Sequence, residues 1–177
     1  MIIYFAVDFK SFETERLLLV PTSVDDAAFI LELLNSPKWI QFIGDRNVTT
    51  PEEAKAYIEN RMMPQLHRLG YGNYTILRKH DRAKIGSCGL YDREGLDGID
   101  IGFALLPAFE KLGYAFEAVN RIKEFAVNDL HLSQISGITT KDNISSQNLL
   151  VKIGLRFEKY VTIPNDTEEL CLYVWKG

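Results

Sequence analysis

The stretch that most restricts what this chain can fold into is Leu105–Val119, read as L-L-P-A-F-E-K-L-G-Y-A-F-E-A-V. An apolar run, Gly98–Leu106, has the character of a strand and is stopped by Pro107. After Gly113, residues Ala115, Ala118, Val119, Ile122, Phe125 and Ala126 recur at helical spacing. Glu117, Asn120, Arg121, Lys123, Glu124 and Asn128 fall elsewhere, so the segment is an amphipathic helix. The first backbone N–H groups of a helix have no intrahelical acceptor. Together with the positive end of the helix dipole they suit a phosphate or pyrophosphate. Taken alone, an ordinary strand–turn–helix with a glycine in the turn explains the same pattern and is the commoner case.

The elements around this stretch follow from local signals. Arg16–Pro21 is a short apolar strand ended by proline. Thr22 and Ser23 ahead of Asp25 and Asp26 start a helix that runs to about Asn35, with Ala27, Ile30, Leu31 and Leu34 on its apolar face. Trp39–Ile43 reads as either a helical turn or a loop, and Trp39 and Phe42 either cap the core or shape a substrate pocket. Thr50-Pro51-Glu52-Glu53 combines an N-cap threonine, proline at the first helical position and a capping-box glutamate. That helix should reach about Arg68, with a kink at Pro64. Asn73–Arg78 and Lys84–Tyr91 form a hairpin around Lys79–Arg82. Gly86, Ser87, Cys88 and Gly89 there admit a close backbone or ligand, or mark a bulge. Gln134–Thr140 is a strand, Asn143 caps a helix to about Ile153 with Gly154 as its stop, and Leu155–Ile163 and Glu169–Trp175 are strands around the turn 164–167. The strand–helix–strand–helix–strand section needs a crossover. The expected fold is therefore α/β, with a mixed, largely antiparallel sheet of six to seven strands and about four helices on its two faces.

A length of 177 residues fits one domain, placed at 12–177, with 1–11 as a mobile extension or an extra edge strand. Net charge is −4, from 20 basic and 24 acidic residues, which argues against nucleic acid or an anionic membrane as partner. Cys88 and Cys171 lie in apolar, strand-like settings without metal-ligand spacing and are expected as buried thiols of a cytoplasmic protein. His67, His80 and His131 are scattered, so no metal site is expected. Met1–Val7 is apolar but short and lacks a basic lead, so it does not read as a signal peptide. No run is long enough to span a bilayer.

Nearly the whole chain, from about Phe12 to Trp175, resembles the GNAT superfamily of N-acetyltransferases, and most closely its ribosomal-protein N-terminal acetyltransferase branch (the RimJ/RimL type). Four stretches carry the resemblance. F-E-T-E-R-L-L-L-V-P (Phe12–Pro21) is similar to the opening strand. I-G-S-C-G-L (Ile85–Leu90) is similar to the third strand. I-G-F-A-L-L-P (Ile101–Pro107) with G-Y-A-F-E-A (Gly113–Ala118) resembles the coenzyme-A loop, and D-N-I-S-S-Q-N-L-L-V-K-I-G-L-R-F-E (Asp142–Glu158) the late helix–strand motif. The family loop runs Q/R-x-x-G-x-G/A. Gly113 and Ala115 fit its last positions, whereas Glu110 stands where glutamine or arginine is usual and Lys111 where this branch has glycine.

The resemblance implies acetyl transfer from acetyl-CoA to a primary amine by direct attack in a ternary complex. It places the pyrophosphate on Glu110, Lys111, Leu112, Gly113, Tyr114 and Ala115, and the pantetheine along the backbone of Phe103, Ala104 and Leu105 with help from Asn143. Ser146 matches the serine that meets the departing thiolate, or else is an ordinary first-turn helix residue. Asp100 stands where relatives carry a basic glutamate, or else is a solvated strand-end aspartate; Asp92 and Glu94 are weaker bases on a turn. Tyr71, Tyr74, Tyr91 and Tyr160 read as core or rim aromatics, and Glu117 as structural or solvated. The acceptor is a small-molecule amine or a protein N-terminus, the acidic balance leaning toward a cationic one, and the assembly a monomer or homodimer. Glu110 and the unassigned base keep open a second reading, a non-catalytic acyl-CoA-binding or sensory module. A third is an unrelated α/β protein for another phosphorylated ligand.

Overall fold

Alternating apolar strands and amphipathic helices assemble into one mixed sheet with helices on both faces. The computed structural model describes residues 9–164 and 166–177. Strands β1 (Phe12–Glu13), β2 (Leu17–Pro21), β3 (Asn73–Arg78), β4 (Lys84–Tyr91), β5 (Ile99–Leu105), β6 (Gln134–Thr139), β7 (Arg156–Val161) and β8 (Leu170–Lys176) lie in the order β1-β2-β3-β4-β5-β6-β8-β7. All neighbours are antiparallel except β5 and β6. The sheet has eight strands where six to seven were expected. The extra one is β1, two residues long and too short for a periodic signal, which pairs Phe12 with Leu19 and Glu13 with Leu18. Most of the 1–11 extension, residues 1–8, lies outside the described residues; Phe9 packs edge-on against His67, and Lys10 pairs with Asp129.

The helices are α1 (Ala27–Leu34), α2 (Pro37–Phe42), α3 (Pro51–Tyr57), α4 (Met63–Leu69), α5 (Tyr114–Asn128) and α6 (Ile144–Lys152). Trp39–Ile43, open between helix and loop in the sequence, is largely the short helix α2 started by Pro37. The face of α1 is rotated from expectation: Phe29, Ile30, Leu33 and Leu34 are buried, while Ala27 and Leu31 are only half-buried. Thr50 and Glu53 make the full capping box at the start of α3. The kink expected at Pro64 is a π-helical turn, Ile58–Met62, linking α3 to α4. Pro64 has no N–H for the carbonyl of residue 60, and the Met63 N–H bonds Ile58 O, five residues back, in place of the usual four.

Strand β5 shows how the two faces are used. Ile101, Phe103 and Leu105 point into the large core under α5 and α6, whereas Ala104 and Leu106 point into a second core with α1 and α3. Buried Ala118, Val119, Ile122, Phe125 and Ala126 lay α5 on the first face, as its periodicity requires. The glycines of β4 serve backbone packing. A side chain on Gly86 would strike Ala104 O at 2.4 Å, and one on Gly89 would strike Gly72 O at 2.2 Å. Cys88 and Cys171 are free and buried.

Candidate active site

The parallel pairing of β5 with β6 covers only Ile99 with Ile135 and Asp100 with Ser136. Beyond that point the strands part. β5 stays bonded to β4 through Leu105, while β6 follows β8. One edge of Ile101–Leu105 thus has no strand partner among the described residues, and its backbone groups are open to a ligand. The gap widens into a cleft of about 1130 Å³. Phe103, Ala104 and Leu105 form one wall, Asn143 and Ser146 of α6 the other, and Trp39 and Phe42 line the end near α2.

The N-terminus of α5 opens into the same cleft. After a turn at Pro107–Phe109 the chain takes positive φ at Lys111 (59°) and Gly113 (84°), and α5 starts at Tyr114. The Glu117 N–H bonds Gly113 O at 3.1 Å, so the N–H groups of Tyr114, Ala115 and Phe116 precede the first intrahelical bond. Glu117, from sequence either structural or solvated, is structural. Its carboxylate accepts from Thr14 Oγ1 at 2.6 Å, the Arg16 N–H at 2.7 Å and Arg16 Nε at 2.7 Å. Burial pushes the Glu117 carboxyl up, but these donors outweigh it and hold the group below its ordinary value. Arg16 also donates to Leu112 O at 3.1 Å and covers the Tyr114 ring, fixing the loop from behind. Glu110, Lys111, Gly113 and Ala115 line the cleft. Leu112 and Tyr114, of the same expected set, do not: Leu112 is half exposed and Tyr114 is buried in the core, so only their backbone N–H groups remain available. Glu110 does not stand as a bare charge. Lys38 of α2, which the sequence reading missed, pairs with it, and both line the cleft.

On α6 the capping work falls to Asn143, whose Oδ1 accepts from the Ser146 N–H at 3.2 Å. The Ser146 hydroxyl makes no hydrogen bond to a described residue and lines the cleft. Asp100, whose sequence context also fitted a solvated strand end, is 1 % exposed. It sits at the last paired position before β5 and β6 diverge, where sheet surrounds it on both sides. Arg93 donates to its Oδ2 through Nε and Nη2, both at 2.8 Å, while Oδ1 is buried without a hydrogen-bond partner among the described residues. Burial pushes the Asp100 carboxyl up to about 6, against the opposing pull of the Arg93 charge and the Ile138 backbone N–H.

The remaining candidates separate cleanly. Asp92 lines the cleft but is tied to Arg68 at 2.8 Å, and Glu94 is exposed outside it. Tyr74 is fully buried, Tyr71 packs near Phe125, and Tyr160 is exposed on β7. Tyr91 lines the cleft and donates to Asn73 Oδ1 at 2.6 Å. Trp39 both packs on the α1–α3 core and lines the cleft. Arg93 carried no sequence signal, because its role depends on a partner it reaches only through the β4–β5 turn.

A model of the acetyltransferase (GNAT) domain matches residues 16–156. The chain belongs to the GNAT acetyltransferase family. The uncharacterized N-acetyltransferase YnaD of Bacillus subtilis is 25% identical over 147 residues, covering 83% of each chain. An acetyltransferase of Agrobacterium tumefaciens superposes with a TM-score of 0.80 at 21% identity, covering 100% of this chain and 99% of its own. RimL, a ribosomal-protein alpha-N-acetyltransferase solved in complex with coenzyme A, superposes with a TM-score of 0.75 at 16% identity, covering 94% and 98%. The two solved structures share the fold of this chain, and this chain is an acetyltransferase.

Proposed function

We propose that this GNAT protein, read as one domain over 12–177, transfers an acetyl group from acetyl-CoA to a primary amine in a ternary complex. The observation that carries the reading is the unpartnered edge of Ile101–Leu105 lying in one cleft with the free N-terminus of α5. An extended pantetheine amide chain suits an open strand edge, and a diphosphate suits the N–H groups of the loop and of Tyr114–Phe116. RimL, with coenzyme A in its structure, supports the choice of ligand. The two free buried thiols suit a cytoplasmic setting.

In this reading the backbone N–H groups of β5 polarise the thioester carbonyl. Asp100 takes the ammonium proton, directly or through one water, and frees the nitrogen lone pair. The C–N bond forms, the C–S bond breaks, the sulfur leaves with the electron pair, and the second proton shed by the new amide nitrogen passes through the Ser146 hydroxyl to the sulfur, giving the free thiol. Asn143 holds the first turn of α6 and thereby sets the Ser146 hydroxyl, which donates to the departing sulfur. Arg93 is a positioning residue: it occupies Oδ2 of Asp100 and leaves Oδ1 for the proton. Trp39 and Phe42 shape the acceptor end.

Two tests arise at once. Ser146→Ala should slow turnover roughly 10- to 100-fold, with acetyl-CoA affinity held within about twofold. An unaltered rate would return that serine to a plain helix position. Lys38 and Glu110 should behave as a coupled pair toward the diphosphate. Lys38→Ala leaves Glu110 uncompensated and should weaken acetyl-CoA binding about fivefold at low salt. Glu110→Ala should tighten it, and the double variant should return near the parent. Titration calorimetry on the four proteins reads this directly, and parental affinity in both single variants would show that the pair is remote from the cofactor.

A further inference from the structure

The cleft carries cations that its own carboxylates do not neutralise. Asp100 is matched to Arg93, Asp92 to Arg68 and Glu110 to Lys38. Arg46 and Arg61 also line the cleft, and neither forms an ion pair among the described residues. Arg46 donates only to Ile43 O, at 3.1 Å. Among the described residues, Lys111 and Lys152 line the cleft without an ion pair as well, and against these cations stands Asp166, the lining carboxylate that has no cation.

Arg61 is placed by the least regular piece of helix in the chain. Tyr57, Arg61 and Gln65 are spaced by four. A four-residue step falls short of a full rotation through the π-helical turn Ile58–Met62 and passes it in the following α-turn, so the two offsets compensate, and all three residues line the cleft. Gln65 donates to Leu90 O at 2.7 Å and accepts from the Asp92 N–H at 2.9 Å. Arg61 lies one turn from Gln65 on the same face. It therefore sits one helical turn from the residue that holds Leu90 and Asp92, next to which Arg93 reaches Asp100.

We infer that the acceptor is an amine carrying a carboxylate close to the reacting nitrogen, and that Arg61 receives that carboxylate. The inference rests on the acetyl-transfer reading and narrows its acceptor. A guanidinium meets a carboxylate through two parallel N–H donors, which a point charge cannot reproduce. An ammonium-rich acceptor such as a polyamine finds only Asp166 to offset Arg46 and Arg61. The overall acidic balance, which leaned toward a cationic acceptor, is thus reversed locally. A free amino acid and a short peptide with an acidic N-terminal residue share the recognised chemistry.

The test uses the full chain and two readouts. In the first, kcat/KM is measured for glutamate, for its diamide, for an amidated tripeptide beginning with aspartate, and for spermidine. The carboxylate-bearing acceptors should exceed the diamide and spermidine by about 30-fold. Arg61→Ala should collapse that ratio to within about threefold through KM, and Arg61→Lys should restore only part of it. Unchanged acetyl-CoA affinity in both variants shows that the fold and cofactor site persist. Glutamate ahead of the tripeptide assigns a small-molecule source, and the reverse order a protein N-terminus. In the second, calorimetry on coenzyme-A-saturated protein compares glutamate with its diamide, independent of turnover. Carboxylate-selective binding lost in Arg61→Ala without any turnover would sustain this inference while sinking acetyl transfer. A preference for spermidine, or equal losses for all acceptors in Arg61→Ala, would overturn it.

Discussion

Asp100→Asn should bind acetyl-CoA as the parent does, lose about two to four orders of magnitude in kcat, and be at least as stable at neutral pH. The activity loss follows from removing the one buried carboxylate at the point where the cleft begins. The stability argument has the opposite sign to that of most active-site losses. Burial raises the Asp100 carboxyl from an ordinary 3.8 to about 6 in the folded protein. A raised folded value favours folding at pH below the unfolded value, and that contribution is lost as pH rises through the folded one. By pH 7 the ionised buried group therefore costs roughly 3 kcal/mol relative to an unshifted carboxylate. Asparagine removes that cost, and Arg93, about a third exposed, can turn to solvent. The stability gap between the two proteins should open between pH 4 and 7 and close below that range, as followed by denaturant melts. In the parent, kcat should rise with pH through about 6 as Asp100 ionises. Arg93→Ala removes the guanidinium that holds the Asp100 carboxyl down and should move that limb upward. An Asp100→Asn protein with parental turnover would strip Asp100 of its role.

Gly113→Glu should raise the dissociation constant of acetyl-CoA at least 100-fold while leaving the protein folded. Gly113 has φ of 84°, so any side chain there is strained by about 1–2 kcal/mol. Its Cβ would meet only the flexible end of Arg16, at 3.2 Å. Gly113→Ala isolates that strain and should weaken binding less than about tenfold. The glutamate adds a negative charge at the site proposed for the diphosphate, competes for the N–H groups of Tyr114–Phe116, and forfeits charge-assisted hydrogen bonds of roughly 1.5–3 kcal/mol each. The same charge at the N-terminus of α5 favours the helix by about 0.3–1 kcal/mol, so the binding loss should not be accompanied by unfolding. Equal affinities for the alanine and glutamate variants would show that the diphosphate lies elsewhere.

What could be read from the sequence was what local chemistry decides. The Thr50–Glu53 cap, the buried face of α5 and the Asn143 cap depend on residues a turn apart, and each appears where the spacing put it. What escaped depends on partners far along the chain. β1 escaped for a different reason: Phe12 and Glu13 are too few for a periodic signal, although Leu18 and Leu19, which they pair with, are close in sequence. The environment of Asp100 is set by two strands parting, so its burial has no local signature. Glu110 looked like a liability until Lys38, from α2, was found against it. Tyr114 sits in the loop motif yet turns inward, since Arg16 and the core claim its ring. The π-helical turn is legible only in part: Pro64 announces a break, but not how the preceding turn absorbs it.

Release of free thiol from acetyl-CoA as a function of added amine tests the central claim most directly. The account predicts that release saturates in both acetyl-CoA and amine in the parent protein and falls by at least two orders of magnitude in Asp100→Asn. Saturable acetyl-CoA binding with no amine-dependent thiol release across amino acids, acidic peptides and polyamines would contradict it.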